Sequence, residues 1–103
     1  MYELEYLPVA QQDMVEIVQY ISQELKNPSA ANRLAAALIE AGDRIPSFPY
    51  ANPVYHSLRP LQHEYRKLIV QNFLMLYWVD EAEKRNTIAR VIYAKRDYRA
   101  MLE

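Results

Sequence analysis

Residues 73–79, Phe-Leu-Met-Leu-Tyr-Trp-Val, are seven consecutive aliphatic or aromatic side chains. The run is too short for an amphipathic helix and rich in strand formers, so it predicts a buried central strand. What flanks it should then be strand as well. Residues 65–70 precede it across Gln71-Asn72, a two-residue polar gap of hairpin length. Residues 87–94 follow it across 80–86, a charged stretch that predicts a solvated turn. This ribbon carries cations at both ends: Arg66 and Lys67 where it starts, Lys95, Arg96 and Arg99 where it stops.

The half that precedes the ribbon has a different rhythm. Tyr2, Leu4 and Tyr6 alternate with Glu3 and Glu5, which marks a first strand with one wet face. Pro8 ends that strand and is tolerated in the first turn of a helix. From about Ala10 to Leu25 the apolar residues Met14, Ile17, Val18, Ile21 and Leu25 fall on one face. Asp13 and Glu16 lie toward the positive end of that helix and Lys26 at its negative end. Asn27 then predicts an N-cap and Pro28 the first residue of a second helix, whose stripe is Ala31, Leu34, Ala35, Leu38, Ala41 and Ile45. The short connection predicts a helical hairpin with one apolar side left for the sheet to cover. Pro46, Pro49, Pro53 and Pro60 exclude regular helix from 46–63, an ordered crossover that Phe48, Tyr50 and Tyr55 are large enough to pin down. Residues 97–103 end the chain as an irregular or helical tail. The expected fold is α+β, ordered β-α-α-β-β-β, a helical hairpin on a small antiparallel sheet, in one domain over 1–103.

Composition removes several classes of function. A chain of 103 residues can form one core and little more. Without cysteine there is neither a disulfide nor a thiolate metal site. The single glycine, Gly42, excludes a glycine-rich phosphate loop. His56 and His63, in the proline-rich stretch, lack metal-ligand spacing, so no metal or cofactor is expected. The first residues carry glutamates rather than a basic segment and an apolar run, and no stretch approaches a membrane span, which leads us to expect a cytoplasmic protein. The net charge of −1 conceals an asymmetry: residues 1–51 carry −4 and residues 52–103 carry +3. An acidic helical half meets a basic sheet half, a weak footprint for an anionic partner.

Several motifs follow one another in this order. They are Asp13-x-x-x-Ile17-x-x-Tyr20-Ile21, Asn27-Pro28-x-Ala30-Ala31, the proline after the second helix, Tyr65-Arg66-Lys67-Leu68, Leu76-Tyr77-Trp78-Val79-Asp80-Glu81, and Arg90-Val91-Ile92-Tyr93-Ala94-Lys95-Arg96-Asp97-Tyr98. Together, across nearly the whole chain, they resemble the RelE/ParE superfamily of toxins from bacterial type II toxin–antitoxin systems. The resemblance implies a growth-inhibiting toxin, of the kind that stabilises plasmids, held by a cognate antitoxin whose acidic segment wraps it. It also divides by activity. RelE-like members cleave messenger RNA on the ribosome with basic residues and often a tyrosine, whereas ParE-like members poison DNA gyrase. The long helical hairpin is similar to the ParE side.

Carried over residue by residue, the RelE-type cluster would use Arg66, Lys67 and Arg96. Leu74 stands where such nucleases usually have an arginine, and Leu102 approximately where they have a tyrosine. Cleavage by 2′-hydroxyl attack needs a base, cations for the phosphorane charge and an acid for the leaving oxygen. Arginines suit the second role, and Tyr98 or His63 could supply a proton. Arg90, Lys95, Tyr98 and Arg99 are the residues expected to bind target or antitoxin. Arg90 and Arg96 share a strand parity that Lys95 does not, so all the cations cannot line one face without a bulge. Tyr77 and Trp78 read as core, and Glu81 and Glu83 as a charged turn. Three readings follow: gyrase poison, ribosome-dependent endoribonuclease, or a degenerate member that only binds its antitoxin. The sheet's outer face is left either free or covered by a second copy in a homodimer.

Overall fold

In the computed structural model, which describes residues 1–57 and 59–96, the long apolar run becomes β3 (Phe73–Asp80). Its neighbours are β2 (Arg66–Val70) and β4 (Arg85–Tyr93), both antiparallel to it, as the hairpin spacing predicts. The sheet is completed by β1 (Glu3–Tyr6), which lies parallel to β4 and gives the order β1-β4-β3-β2. This parallel edge strand makes the sheet mixed rather than wholly antiparallel. It also explains why β4 starts at Arg85, earlier than Thr87. Arg85 and Asn86 pair with Asp80 and Val79 on one side and with Glu3 and Leu4 on the other.

The unbroken apolarity of β3 reflects burial on both faces of the sheet. On one face Met75, Tyr77, Ile88, Val91 and Val70 pack with helical Ala10, Leu34, Leu38, Ala41 and Ile45. On the other, Leu74, Leu76, Ala89 and Ile92 are covered by Tyr55 and Tyr65. The second cover is the proline-rich crossover. Its residues 53–55 lie beside the start of β2, with Tyr55 N donating to Tyr65 O at 2.8 Å and Lys67 N to Pro53 O at 2.9 Å. Tyr55 is buried as expected, but Phe48 and Tyr50 do not pin the crossover by burial. They are 70% and 49% exposed, because the short 3₁₀ turn Ile45–Ser47 projects them outward past the end of the core.

The helices are α1 (Pro8–Gln19) and α2 (Pro28–Arg44). Pro8 takes the first position of α1, two residues before the expected start, since that turn needs no amide donor there. The last part of the predicted helix widens into a π turn, Tyr20–Glu24. Lys26, at a φ of 52°, stops it, and Asn27 then caps α2 by accepting from Ala30 N at 3.1 Å. Leu34 and Leu38 of α2 are essentially fully buried, each contributing roughly 1.5–3 kcal/mol of apolar transfer. At Gly42 that helix packs directly on side chains of the sheet. A Cβ there would collide with the Tyr6 phenol oxygen and meet Ile88 Cδ1 at 3.3 Å.

Candidate functional site

Asp13 belongs to the buried face of α1 together with Ala10, three residues earlier. Its carboxylate accepts three hydrogen bonds, from Arg90 Nε at 2.8 Å, Arg90 Nη2 at 2.9 Å and the main-chain N–H of Val91 at 3.0 Å. The cause lies in the sheet. β1 ends at Tyr6, so beyond Ile88 the edge of β4 that faced β1 has no strand beside it, and the side chain of Asp13 accepts from the Val91 amide where no neighbouring strand does. The same hydrogen bonds raise the Arg90 guanidinium pKa above its ordinary value. The pairing of β3 with β4 shifts register between Leu76 and Tyr77, opposite the Arg90 to Ile88 segment. This irregularity lies before Arg90, and the register from Arg90 to Tyr93 is regular, so it leaves the parity of Arg90 relative to the later cations unchanged; Arg90 is turned to the helix instead.

Arg66 is likewise engaged within the chain. Its Nη1 donates to Asn52 O at 2.8 Å and to Tyr50 O at 3.4 Å, its Nη2 approaches Glu64, and its guanidinium stands 4.9 Å from the centre of the Tyr50 ring. The work of this arginine is to tie the crossover to β2. Lys67, next along the strand, faces the other side of the sheet and makes no side-chain hydrogen bond or ion pair among the described residues. Arg96 lies past the end of β4, exposed, its N–H donating to Tyr93 O at 3.0 Å. Arg66 is level with Tyr77 and the end of β4 with Phe73, a separation of about 13 Å along the strands alone. Arg66, Lys67 and Arg96 therefore do not converge. Lys95 is exposed beside Arg96, Leu74 is 4% exposed in the second-face core, and Tyr98, Arg99 and Leu102 lie outside the described residues.

Two clusters were not legible as sites. Glu81, which reads as a turn residue, accepts from the phenols of Tyr2 and Tyr50 and from Lys84 Nζ, and these bonds hold its carboxyl down at about 2. The same contact pushes Tyr50 up to about 12. This clasp joins the N-terminus, the crossover and the β3–β4 turn. The second is a groove of about 650 Å³ between α1 and the uncovered edge of β4, lined by Ile17, Tyr20, Leu25, Phe73 and Tyr93, with Glu16 and Arg96 at its rim. The sequence signal for Asp13 was available: a carboxylate three residues from Ala10 on an apolar face needs a buried partner. The groove had no such signal, because its walls are far apart in the chain.

His63 stacks on Trp78 at 3.8 Å with Tyr65 edge-on at 5.8 Å, so both Trp78 and the histidine serve packing. Among the described residues no group of three His, Cys, Asp or Glu side chains is placed to hold a metal, and no helix is long and apolar enough to cross a membrane.

Similar proteins agree with this architecture. The toxin fold in the chromosomal ParDE system of Pseudomonas aeruginosa superposes with a TM-score of 0.74 at 18% identity, covering 92% of this chain and 98% of that one. The RelBE2 toxin–antitoxin complex of Mycobacterium tuberculosis gives 0.64 at 17% identity over 89% and 96%. A metal-bound toxin from Helicobacter pylori gives 0.58 at 17% over 90% and 94%. Among curated proteins none matches. Residues 4–98 match the family described as the ParE toxin of the type II toxin–antitoxin system parDE. With two helices on a mixed four-stranded sheet and a family match over nearly its whole length, this chain belongs to the ParE toxin family of type II toxin–antitoxin systems.

Proposed function

We propose that this chain arrests growth by binding its target, with DNA gyrase as that target, and that a cognate antitoxin neutralises it. The observation that carries the reading is the commitment of its cations. Cleavage of the RelE type set out above needs unengaged cations around one phosphate. Here Arg66 is engaged by the crossover carbonyls, Arg90 by Asp13, and Leu74 is core rather than a cationic position. Lys67 and Arg96 stand at different ends of the sheet. Exposed Tyr20, Leu25 and Tyr93 suit protein–protein contact, in which aromatic anchors carry much of the energy.

Induction of the chain in a bacterial host should stop growth, raise DNA-damage signalling and inhibit supercoiling by purified gyrase. The competing outcome is cutting of a defined message in a translation extract, dependent on ribosomes and lost in Arg96→Ala. That result would replace the gyrase reading with the ribonuclease. No growth arrest, in a host carrying gyrase and without the antitoxin, would leave an antitoxin-binding protein that is no longer a toxin.

A further inference from the structure

α1 and α2 are each pinned on either side of their junction. Asp13 holds α1 to β4 through Arg90 and the Val91 amide. On the other side Pro28 keeps Asn27 out of helical backbone, at a φ of −131°, and the Asn27 side chain caps α2 by accepting from Ala30 N at 3.1 Å. Between these fixed points the chain carries one residue more than a regular turn holds, and the turn Tyr20–Glu24 absorbs it. Leu25 N reaches back five residues to Tyr20 O at 3.1 Å and Asn27 N six residues to Ile21 O at 3.1 Å, where a regular helix end closes over four and five. Lys26, despite its Cβ, sits in the left-handed region at a φ of 52°.

The extra residue changes what Leu25 does. A regular helix turns about 100° per residue, so α1 continued without a break would set Leu25 about 40° from Ile21 and about 20° from Val18, in the stripe where Met14, Ile17 and Ile21 pack on the core. Its side chain is instead 56% exposed. The π turn swings it back by about one residue, about 100°, toward the side of Asp13 and Tyr20, and there it becomes a wall of the groove beside β4. A leucine that the stripe would bury thus stands in water, against the pattern of the helix that carries it. We propose that the end of α1 is a register switch that gates the groove. In the π register Leu25 lines the groove. In the α register Leu25 N turns to Ile21 O, the side chain joins Ile21 and Val18, Lys26 leaves its strained φ, and the groove loses that wall. Two neighbours set the balance: the Asn27 cap holds the chain where the π register needs it, and the strain at Lys26 opposes that register. The switch belongs to the free chain, whichever molecule the groove takes.

Methyl NMR of the full chain with labelled leucines provides the test. Relaxation dispersion should show Leu25 exchanging with a second state populated at roughly 0.1–10%, while Leu34 and Leu38 in the core stay silent. Asn27→Ala should raise that population about fivefold, the worth of one cap, and Lys26→Gly should lower it by about the same factor. One glycine inserted between Lys26 and Asn27 gives the α register the length it lacks, so the Leu25 methyls should become buried in the major state and lose most of their broadening by a soluble paramagnetic probe. Deletion of Gln23 removes the extra residue and leaves Leu25 facing the groove from a regular helix, so the exchange should vanish while the urea midpoint holds or rises. Should that deletion prevent folding, the insertion and the two point substitutions decide alone. The switch is refuted by a Leu25 that stays open to the probe after the insertion, by exchange that persists without Gln23, by shifts of the same sign in Asn27→Ala and Lys26→Gly, or by no exchange at Leu25 in either the wild type or Asn27→Ala.

Discussion

Asp13→Ala should be among the most damaging single substitutions in α1. It removes three charge-assisted hydrogen bonds, two of them from the guanidinium, and strands both the Val91 amide and Arg90. Breaking a buried pair by deleting one partner costs about 3–5 kcal/mol. The side chains here are 10% and 20% exposed, so water recovers part of the guanidinium's loss and the lower end applies, about 3 kcal/mol. For a domain of this size that corresponds to a fall in Tm of roughly 12–24 °C. Trp78, the only tryptophan, is stacked on His63 and reports unfolding by fluorescence in urea. Asp13→Asn keeps an acceptor for Val91 N but loses the charge, and should cost about 2 kcal/mol. In a double-mutant cycle with Arg90→Met the coupling should reach about 1–2 kcal/mol. A cost below about 1 kcal/mol for Asp13→Ala, the value of an exposed ion pair, would refute the claim that this carboxylate stands in for a strand.

Other consequences are equally direct. Asn86 is fully buried, paired along the sheet with Leu4 and Val79, and neither side-chain polar atom has a hydrogen-bond partner among the described residues, so Asn86→Val should raise stability by about 1–2 kcal/mol in the same urea assay. Gly42→Ala should cost about 1–3 kcal/mol by pressing a methyl on Tyr6, and Tyr6→Phe in the same chain should recover much of it, since the displaced hydroxyl is buried with no partner among the described residues. The folded pKa of Glu81, about 2, lies below its ordinary 4.5, so whatever stability the clasp contributes is fully present above pH 4.5 and lost as pH falls toward 2. Carboxyl NMR should place its midpoint near 2, and a midpoint near 4.5 would mean the clasp is open in solution. Tyr50, held at about 12 mainly by its bond to that carboxylate, should titrate lower in Glu81→Gln when followed by ultraviolet absorbance.

Much of this protein is written locally. The strands around residues 73–79, the Asn27-Pro28 helix start and the two-residue hairpin turn each depend on spacing and backbone preference within a few residues, and each forms as those rules require. The motifs that resemble the RelE/ParE toxins are likewise readable in order along the chain, and the family match spans residues 4–98. The tertiary structure decided what the charges do. Arg66 read as a candidate for RelE-type catalysis and Arg90 as one for target or antitoxin contact, and nothing local to either residue pointed to the distant groups they bond, Asn52 O and Asp13. Glu81 read as solvated because its two phenol donors lie 31 and 79 residues away. Phe48 read as an anchor because bulk says nothing about direction. The groove lies where β1 stops at Tyr6 while β4 runs on to Tyr93, so that α1 stands beside an edge with no strand paired to it. Local propensity sets each element's conformation, whereas a charge's task depends on which distant group shares its low-dielectric surroundings, and that is fixed only when the layers pack.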